Sequence, residues 1–418
     1  MLAVAAKPDR SPGAGRIRDS AAVGAGIACL ALLSLAVAAA FPGASPLSPD
    51  HTGTDGTWPL VYLGAIAAAF VAYLAGLRVL RSRKARLAPV VVVAVAIQLV
   101  PLVGPVLLST DVYTYWARAR VDTAHGENPY TTAPSRFPDD PAFERMGRSW
   151  RDRPTGYGPG FTLLSEGHAV VVGESPAAAA WFYRAVAAAA VLAITGLAAA
   201  LARNGPFAAA FVGWSPLLAV HFAGGGHNDA VMMALVMAAI FLAARGRPAG
   251  AGAAWAGAIL VKWVPVVFLP LRILEARRAG RRIDHLGFAV AITVIFAVAS
   301  WRYGAGWLHS FDNFSGQLER STSVSLNRWL TEFGVSEATA RWLLVGTFAL
   351  GYLWLLREAW RGRARLGLCG GLLVLTSSWL VPWYAIWAVP LAAIEEDTTA
   401  QVLALGLSGY LLYAAVPV

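Results

Sequence analysis

Charge is scarce in this sequence. Only 14% of its 418 residues are Asp, Glu, Lys or Arg, while 57% are hydrophobic; a soluble domain carries roughly 25% charged residues. That deficit excludes an ordinary soluble globular protein and leaves a polytopic membrane protein. Cysteine is scarcer still. Cys29 and Cys369, the only two, both lie inside apolar runs, so they read as small buried hydrophobes rather than as a disulfide or a metal pair. No Gly-rich βα unit and no Asp-rich metal motif occurs, so neither a nucleotide-sugar donor nor a cofactor or metal is expected. Asp139 and Asp140 are the only adjacent acids in the first long polar segment. No repeat at a fixed period is found. The net charge of +10 does not call for nucleic acid, because the basic residues cluster between apolar runs, as they do in cytoplasmic loops of membrane proteins.

The apolar runs set the organisation. Residues 1–20 are basic and rich in Gly and Pro, and read as a cytoplasmic tail. The run Ala21 to Phe41 behind them is too long and too far from the start for a signal peptide, so it is expected to be an uncleaved first span. Trp58 to Leu80 then crosses inward to the basic "RSRKAR" at 81–86, and Leu87 to Leu108 crosses outward. Two further basic loops, "RILEARRAGRR" (272–282) and "REAWRGRAR" (357–365), belong to the same side. Later crossings are expected over Phe288 to Trp301, Ala340 to Leu356 and Gln401 to Val418. The middle threads two ways. Either all of 160–173, 177–201, 206–222, 229–244 and 249–271 span, or 160–173 lies in the interface and 249–271 is broken near Pro265. The second threading is preferred, because it puts "GGGHNDA" (224–230) on the face that holds Asp111, and ionisable groups in membranes share functional cavities. The fold expected is all-α: one helical membrane domain over 21–418 with about 10–12 spans of roughly 20 residues each, and outer, non-cytoplasmic loops near 109–158 and 304–337.

Chemistry must come from the polar residues that a bilayer makes expensive. Asp111, in "LLSTDVYTYWARAR", stands where an apolar run stops. It reads as a helix cap or as a general base, and the two roles are compatible. "GENPY" (126–130) and "DRPTGYGPG" (152–160) read as rigid bends. "GGGHNDA" offers His227, Asn228 and Asp229 in succession after three glycines; it is either a polar turn or a site. Lys262 in "AILVKWVP" either snorkels to an interface or faces an anionic ligand. Arg320, Asn327 and Arg328 are either solvated or in contact with ligand. Tyr115, Trp116, Tyr157, Trp383 and Tyr384 suit stacking on sugar faces, although aromatic residues also belt membrane interfaces.

Together, "DVYTYWARARVDTAHGENPY", "YGPGFTLL", "WSPLLAVHFAGGGHNDAVMMAL" and "VKWVPVVFLPL" resemble the polyprenol-phosphate-mannose-dependent mannosyltransferases of actinobacterial cell envelopes, and especially their α-1,6-mannosyltransferases. The resemblance covers roughly residues 90 to 390. It implies a GT-C-like helical bundle in a bacterial plasma membrane with its active site on the outer face. The implied donor is a polyprenyl-phosphate-linked sugar, and the implied acceptor is a glycolipid or glycan. Asp111 would be the base of an inverting transfer. His227, Lys262 and Arg328, in that order, would meet the phosphate, and Asn228 and Asp229 would hold the imidazole. A second class of function is open: a transporter or flippase of lipid-linked sugars, which also uses broken helices and intramembrane polar groups.

Overall fold

A computed structural model describes residues 12–81, 85–281, 283, 285–311 and 320–417, the side chains of 12–19 excepted. The ordered elements that build the site are α1 (Pro12–Ala38), α2 (Thr57–Arg81), α3 (Leu87–Leu99), α4 (Asp111–Thr123), α5 (Pro159–Val172), α6 (Pro176–Leu201), α7 (Gly205–Gly213), α8 (Pro216–Ala219), α9 (Asp229–Ala244), α10 (Pro248–Val261), α11 (Leu269–Arg278) and α12 (His285–Tyr303). Behind them come Leu326–Glu332, Glu337–Trp360, Leu366–Thr376, Val389–Glu395 and Thr398–Tyr410. Among the described residues there is no strand, and the chain is an all-α polytopic membrane protein.

Five helices are long and apolar enough to cross a membrane unaided, or six if the pair Gly205–Gly213 and Pro216–Gly224, bent by 49°, is one span. Four shorter apolar helices, Leu87–Val103, Asp229–Ala244, Pro248–Val261 and Leu366–Thr376, accompany them. Length alone therefore gives fewer spans than the apolar runs promise, because prolines and glycines divide those runs. The run 87–108 is helical only to Val103: Pro101 falls in a 3-10 turn, Gly104 is extended, and Leu108 takes φ +58. The run 249–271 breaks at Lys262, which is extended, before the 3-10 turn Val264–Val267. The run 206–222 breaks at Trp214 and Ser215, and the last helix stops at Tyr410 rather than at Val418.

A broken helix in a membrane must have its freed carbonyls satisfied internally. At the Trp214 break, Gln98 Nε2 donates to the Gly213 carbonyl at 3.0 Å and the Cys29 thiol donates to the Trp214 carbonyl at 3.5 Å. The indole of Trp214 wedges between α1 and α2 and donates to the Val90 carbonyl at 3.0 Å. Gly76 makes room for it, since a Cβ there would lie 2.7 Å from the ring.

The basic segments gather at one end. Arg81 bonds Thr398, Arg365 bonds Asp397, and the Glu275 carboxylate accepts from the Ala364 amide, which joins 272–282 to 357–365. Residues 82–84 of "RSRKAR", 1–11 of the N-terminal tail and 312–319 of the second polar loop lie outside the described residues.

Candidate active site

The site forms where two broken stretches of backbone meet. Leu107 donates its amide to the Gly224 carbonyl at 3.1 Å, which ties the approach to α4 to the triple glycine. Gly226 allows the closest approach. It takes φ +71, and a Cβ there would stand 2.3 Å from Val112 Cγ1, so no other residue fits without displacing α4. Arg184, buried on α6, clamps both stretches: Nε donates to the Ala223 carbonyl at 2.8 Å, and Nη2 donates to the carbonyls of Gly104, at 3.0 Å, and Pro101.

That geometry sets His227 against Asp111. The carboxylate Oδ2 accepts from His227 Nδ1 at 3.0 Å and from the Tyr115 hydroxyl at 3.3 Å. Both bonds end on Oδ2, and Oδ1 accepts none from the described residues. Asp111 is the first residue of α4 but does not cap it; Ser109 Oγ accepts the Asp111 amide instead. Burial pushes the Asp111 carboxyl up, but the His227 hydrogen bond and charge, with help from Lys262 and Tyr115, outweigh it and hold the group below its ordinary value. His227 is fully buried, and its ring stacks on Trp383 at 3.6 Å and 13°. The imidazole thus bonds Asp111 through Nδ1 and stacks on Trp383, and its buried Nε2 has no hydrogen-bond partner among the described residues.

Asp229 does not hold that imidazole, which corrects the sequence reading. It accepts Lys262 Nζ on both oxygens, at 2.8 and 2.9 Å, and Trp387 Nε1 at 2.7 Å. Lys262 neither snorkels nor stands unpaired, and the 3-10 turn Pro382–Trp387 that carries Trp387 also carries Trp383 and Tyr384. Asn228 is buried beside the site with both side-chain polar atoms unpartnered.

A cavity of about 150 Å³ opens over these groups, lined among others by Asp111, Tyr115, Tyr157, Asp229, Lys262, Trp383 and Tyr384. The two bends recognised in the sequence press Tyr157 into it. The Tyr130 hydroxyl donates to the Tyr157 carbonyl at 3.1 Å, Thr155 donates to the Pro129 carbonyl at 2.8 Å, and a Cβ at Gly158 would sit 2.2 Å from the Leu260 carbonyl oxygen at the end of α10. Arg328 is not part of the cavity. It is exposed, and its Nε bonds Glu332 one helical turn on, at 2.9 Å, so side-chain pairing within a short helix takes it out of reach.

The lining also holds Arg118 and Arg153, which the sequence reading passed over, and Arg320, which it left between solvent and ligand. Arg118 is buried with its Nε unpartnered, and its guanidinium stands 5.4 Å from the Trp150 ring and 5.9 Å from Tyr157. Arg153 lies 5.8 Å from the same Trp150 ring, and Arg320 lies 4.9 Å from it and 5.8 Å from Trp379. Arg118, Arg153, Arg320 and Lys262 against Asp111 and Asp229 leave the lining net positive. One signal could have found Arg118: Asp111, Tyr115 and Arg118 are spaced i, i+4, i+7 along α4 and so share a face. Asp140 is already engaged, by Arg120 Nε at 2.9 Å and His125 Nε2 at 2.8 Å. Among the described residues no three His, Cys, Asp or Glu side chains gather as metal ligands would.

Residues 21–277 match the family described as "Alpha-(1->6)-mannopyranosyltransferase, N-terminal domain". The chain is 28% identical to alpha-(1->6)-mannopyranosyltransferase A of Mycobacterium tuberculosis, over 77% of this chain and 68% of that protein. It is 28% identical to a protein of Mycolicibacterium smegmatis described as a probable alpha-(1->6)-mannopyranosyltransferase, over 70% and 62%. With alpha-(1->6)-mannopyranosyltransferase B of Corynebacterium glutamicum it shares 25% identity over 69% and 56%. The matches thus take in between about half and two thirds of these relatives' own lengths. No solved structure matches the chain. A match over more than half of the chain, on the stretch that brings Asp111, His227, Asp229 and Lys262 together, places this protein in the alpha-(1->6)-mannopyranosyltransferase family.

Proposed function

We propose that the protein transfers a mannosyl residue from a polyprenyl-phosphate donor to a glycan or glycolipid acceptor at the outer face of a bacterial plasma membrane, with inversion at the anomeric carbon. The relatives' names supply the sugar and the α-1,6 linkage. The observation that carries the chemistry is a carboxylate with one oxygen anchored and the other open, set in a cavity whose remaining charge is positive. In the step proposed, Asp111 Oδ1 takes the proton of the acceptor hydroxyl as its oxygen bonds the anomeric carbon. The bond from that carbon to the phosphate oxygen breaks, and its electron pair leaves on the phosphate. A lipid phosphate gains charge as it departs, and fixed cations in a water-poor cavity stabilise developing charge far better than they do in bulk water. Arg118 and Arg320 are the groups assigned to it, held over Trp150 and Trp379. Trp383 and Tyr384 offer aromatic faces to the sugar.

Purified protein incubated with polyprenyl-phosphate-mannose and short α-1,6-mannosyl acceptors should give a product heavier by one hexose; a hexose supplied equally well by a nucleotide sugar would overturn the donor. Sidedness has its own test, in a background lacking Cys29 and Cys369. A cysteine at the exposed Asp139 should react with an impermeant thiol reagent from outside, and one at the exposed Arg278 only from inside. The reverse pattern would overturn the outer-face assignment.

A further inference from the structure

A second cavity lies at the opposite end of the molecule from Asp111. It has a volume of about 790 Å³ and runs between α2, α7 and the helix Thr398–Tyr410. Its wall on α2 is one stripe, made of Val71, Leu74, Ala75, Leu77, Arg78 and Arg81; Phe207 and Phe211 form the α7 wall, and Gln401 and Leu405 close it. Polarity is segregated along its length. The apolar residues run from Val71 toward the helix end, and both arginines stand at that end, one turn apart on the same face. Among the described residues Arg81 donates to Thr398 Oγ1, and Arg78 is exposed beside it. Val71 is 66% exposed, so the groove opens sideways rather than into the protein.

The dimensions point to an occupant. From Val71 to Arg81 the helix rises about 15 Å, which is half of a hydrocarbon core of roughly 30 Å, the depth of one leaflet. A groove one leaflet deep, open on its long side and ending in two guanidiniums, is complementary to a molecule with an acyl chain and an anionic head. Basic pockets between membrane helices at the headgroup level recognise such lipids, and guanidinium forks match phosphate oxygens geometrically. The geometry points to a specific binding site for one anionic phospholipid, with its phosphate on Arg78 and Arg81 and a chain along Val71, Leu74 and Leu405. This site is separate from the transfer reaction, and nothing in it rests on the donor or acceptor proposed above.

The test uses the full chain in detergent, titrated with phosphatidylglycerol or phosphatidylcholine and read by native mass spectrometry together with the melting temperature. Wild type should retain one phosphatidylglycerol per chain and melt higher with it, and phosphatidylcholine should bind at least about 10-fold more weakly, since each surface guanidinium adds appreciably to the attraction for anionic lipid. Inorganic phosphate at equal concentration should not displace the lipid. Arg78→Gln with Arg81→Gln should abolish the preference while leaving the lipid-free melting temperature unchanged. Leu74→Trp, which fills the groove and keeps both arginines, should abolish retention too, and it tests the site even if the double variant fails to fold. Equal retention of the two lipids by wild type, or undiminished phosphatidylglycerol retention in Leu74→Trp, would overturn the proposal.

Discussion

Two carboxylates open helices in one cavity, and they are bonded in opposite ways. Asp229, the first residue of α9, has a side chain only 1% exposed and is saturated: Lys262 takes both oxygens and Trp387 bonds one of them. Asp111, the first residue of α4, keeps 18% of its side chain exposed and is held by one oxygen only. A carboxylate paired on every side is a fixed charge that locks elements together; here it pins α9 to the break after α10 and to the 3-10 turn at 382–387. A carboxylate anchored at one oxygen and open at the other can accept a proton. The comparison therefore separates the acid proposed as base from the brace, although the two have the same chemistry and the same place in a helix.

The sharpest way to break this comparison is to neutralise each acid in turn. Asp111→Asn keeps the size of the side chain and an oxygen to accept from His227 and Tyr115. It removes the base, so transfer should fall by about 10² to 10⁴-fold with the melting temperature little changed. Turnover near wild type would return Asp111 to a structural role. At Asp229 the order of effects should reverse. Lys262→Met leaves a buried carboxylate without its cation, which costs on the order of 3–5 kcal/mol of stability, so a large drop in melting temperature is expected. Adding Asp229→Asn to Lys262→Met should restore much of it. If the double variant melts no higher than the single one, the pair is not the brace described here.

The sequence made Asp111 and the "GGGHND" run legible because apolar runs that stop at polar groups are costly enough to be conspicuous. It also made the break at Lys262 visible, through the Pro265 that follows. It did not show which acid would be free, because pairing depends on where Lys262 and Trp387 arrive from, 33 and 158 residues away from Asp229. Arg184 was invisible for a related reason. In "WFYRAV" it looks like one basic residue in an apolar helix, and only the fold supplies the carbonyls of Pro101, Gly104 and Ala223 that it clamps. His227 was singled out as a candidate, but its stacking on Trp383 and its bond to Asp111 had to be seen in three dimensions.

A smaller effect is expected on the cationic side of the cavity. Arg118 shares a helix face with Asp111 and ends over Trp150, where a phosphate would complete the bonding of its unpartnered Nε. A hydrogen bond to a charged group contributes about 1.5–3 kcal/mol. Arg118→Gln should therefore raise the donor KM by roughly 10-fold to 10²-fold, with a lesser change in the acceptor KM. An acceptor KM raised equally would place Arg118 on the acceptor and leave the phosphate to Arg320.

The smallest effect is the most diagnostic of how Asp111 is tuned. Burial pushes its carboxyl up, and the hydrogen bond and charge of His227, aided by Lys262 and Tyr115, hold it below its ordinary value. A base must be ionised to act, so kcat/KM should stay flat from neutral pH down through the usual carboxylate range and fall only below it. The same sign holds for stability: a lowered carboxyl pKa stabilises the fold above the unfolded value, and that contribution is lost as pH falls through the lowered one. His227→Asn keeps a hydrogen-bonding side chain but removes the imidazole and its charge, so burial regains its influence. The acid limb of the rate profile should then move to higher pH, by about one unit for each 1.4 kcal/mol of interaction lost, while the plateau rate falls less than in Asp111→Asn. An acid limb that stays in place in His227→Asn would mean that Lys262 and Tyr115 suffice to tune the base, and that His227 contributes only through its stacking on Trp383.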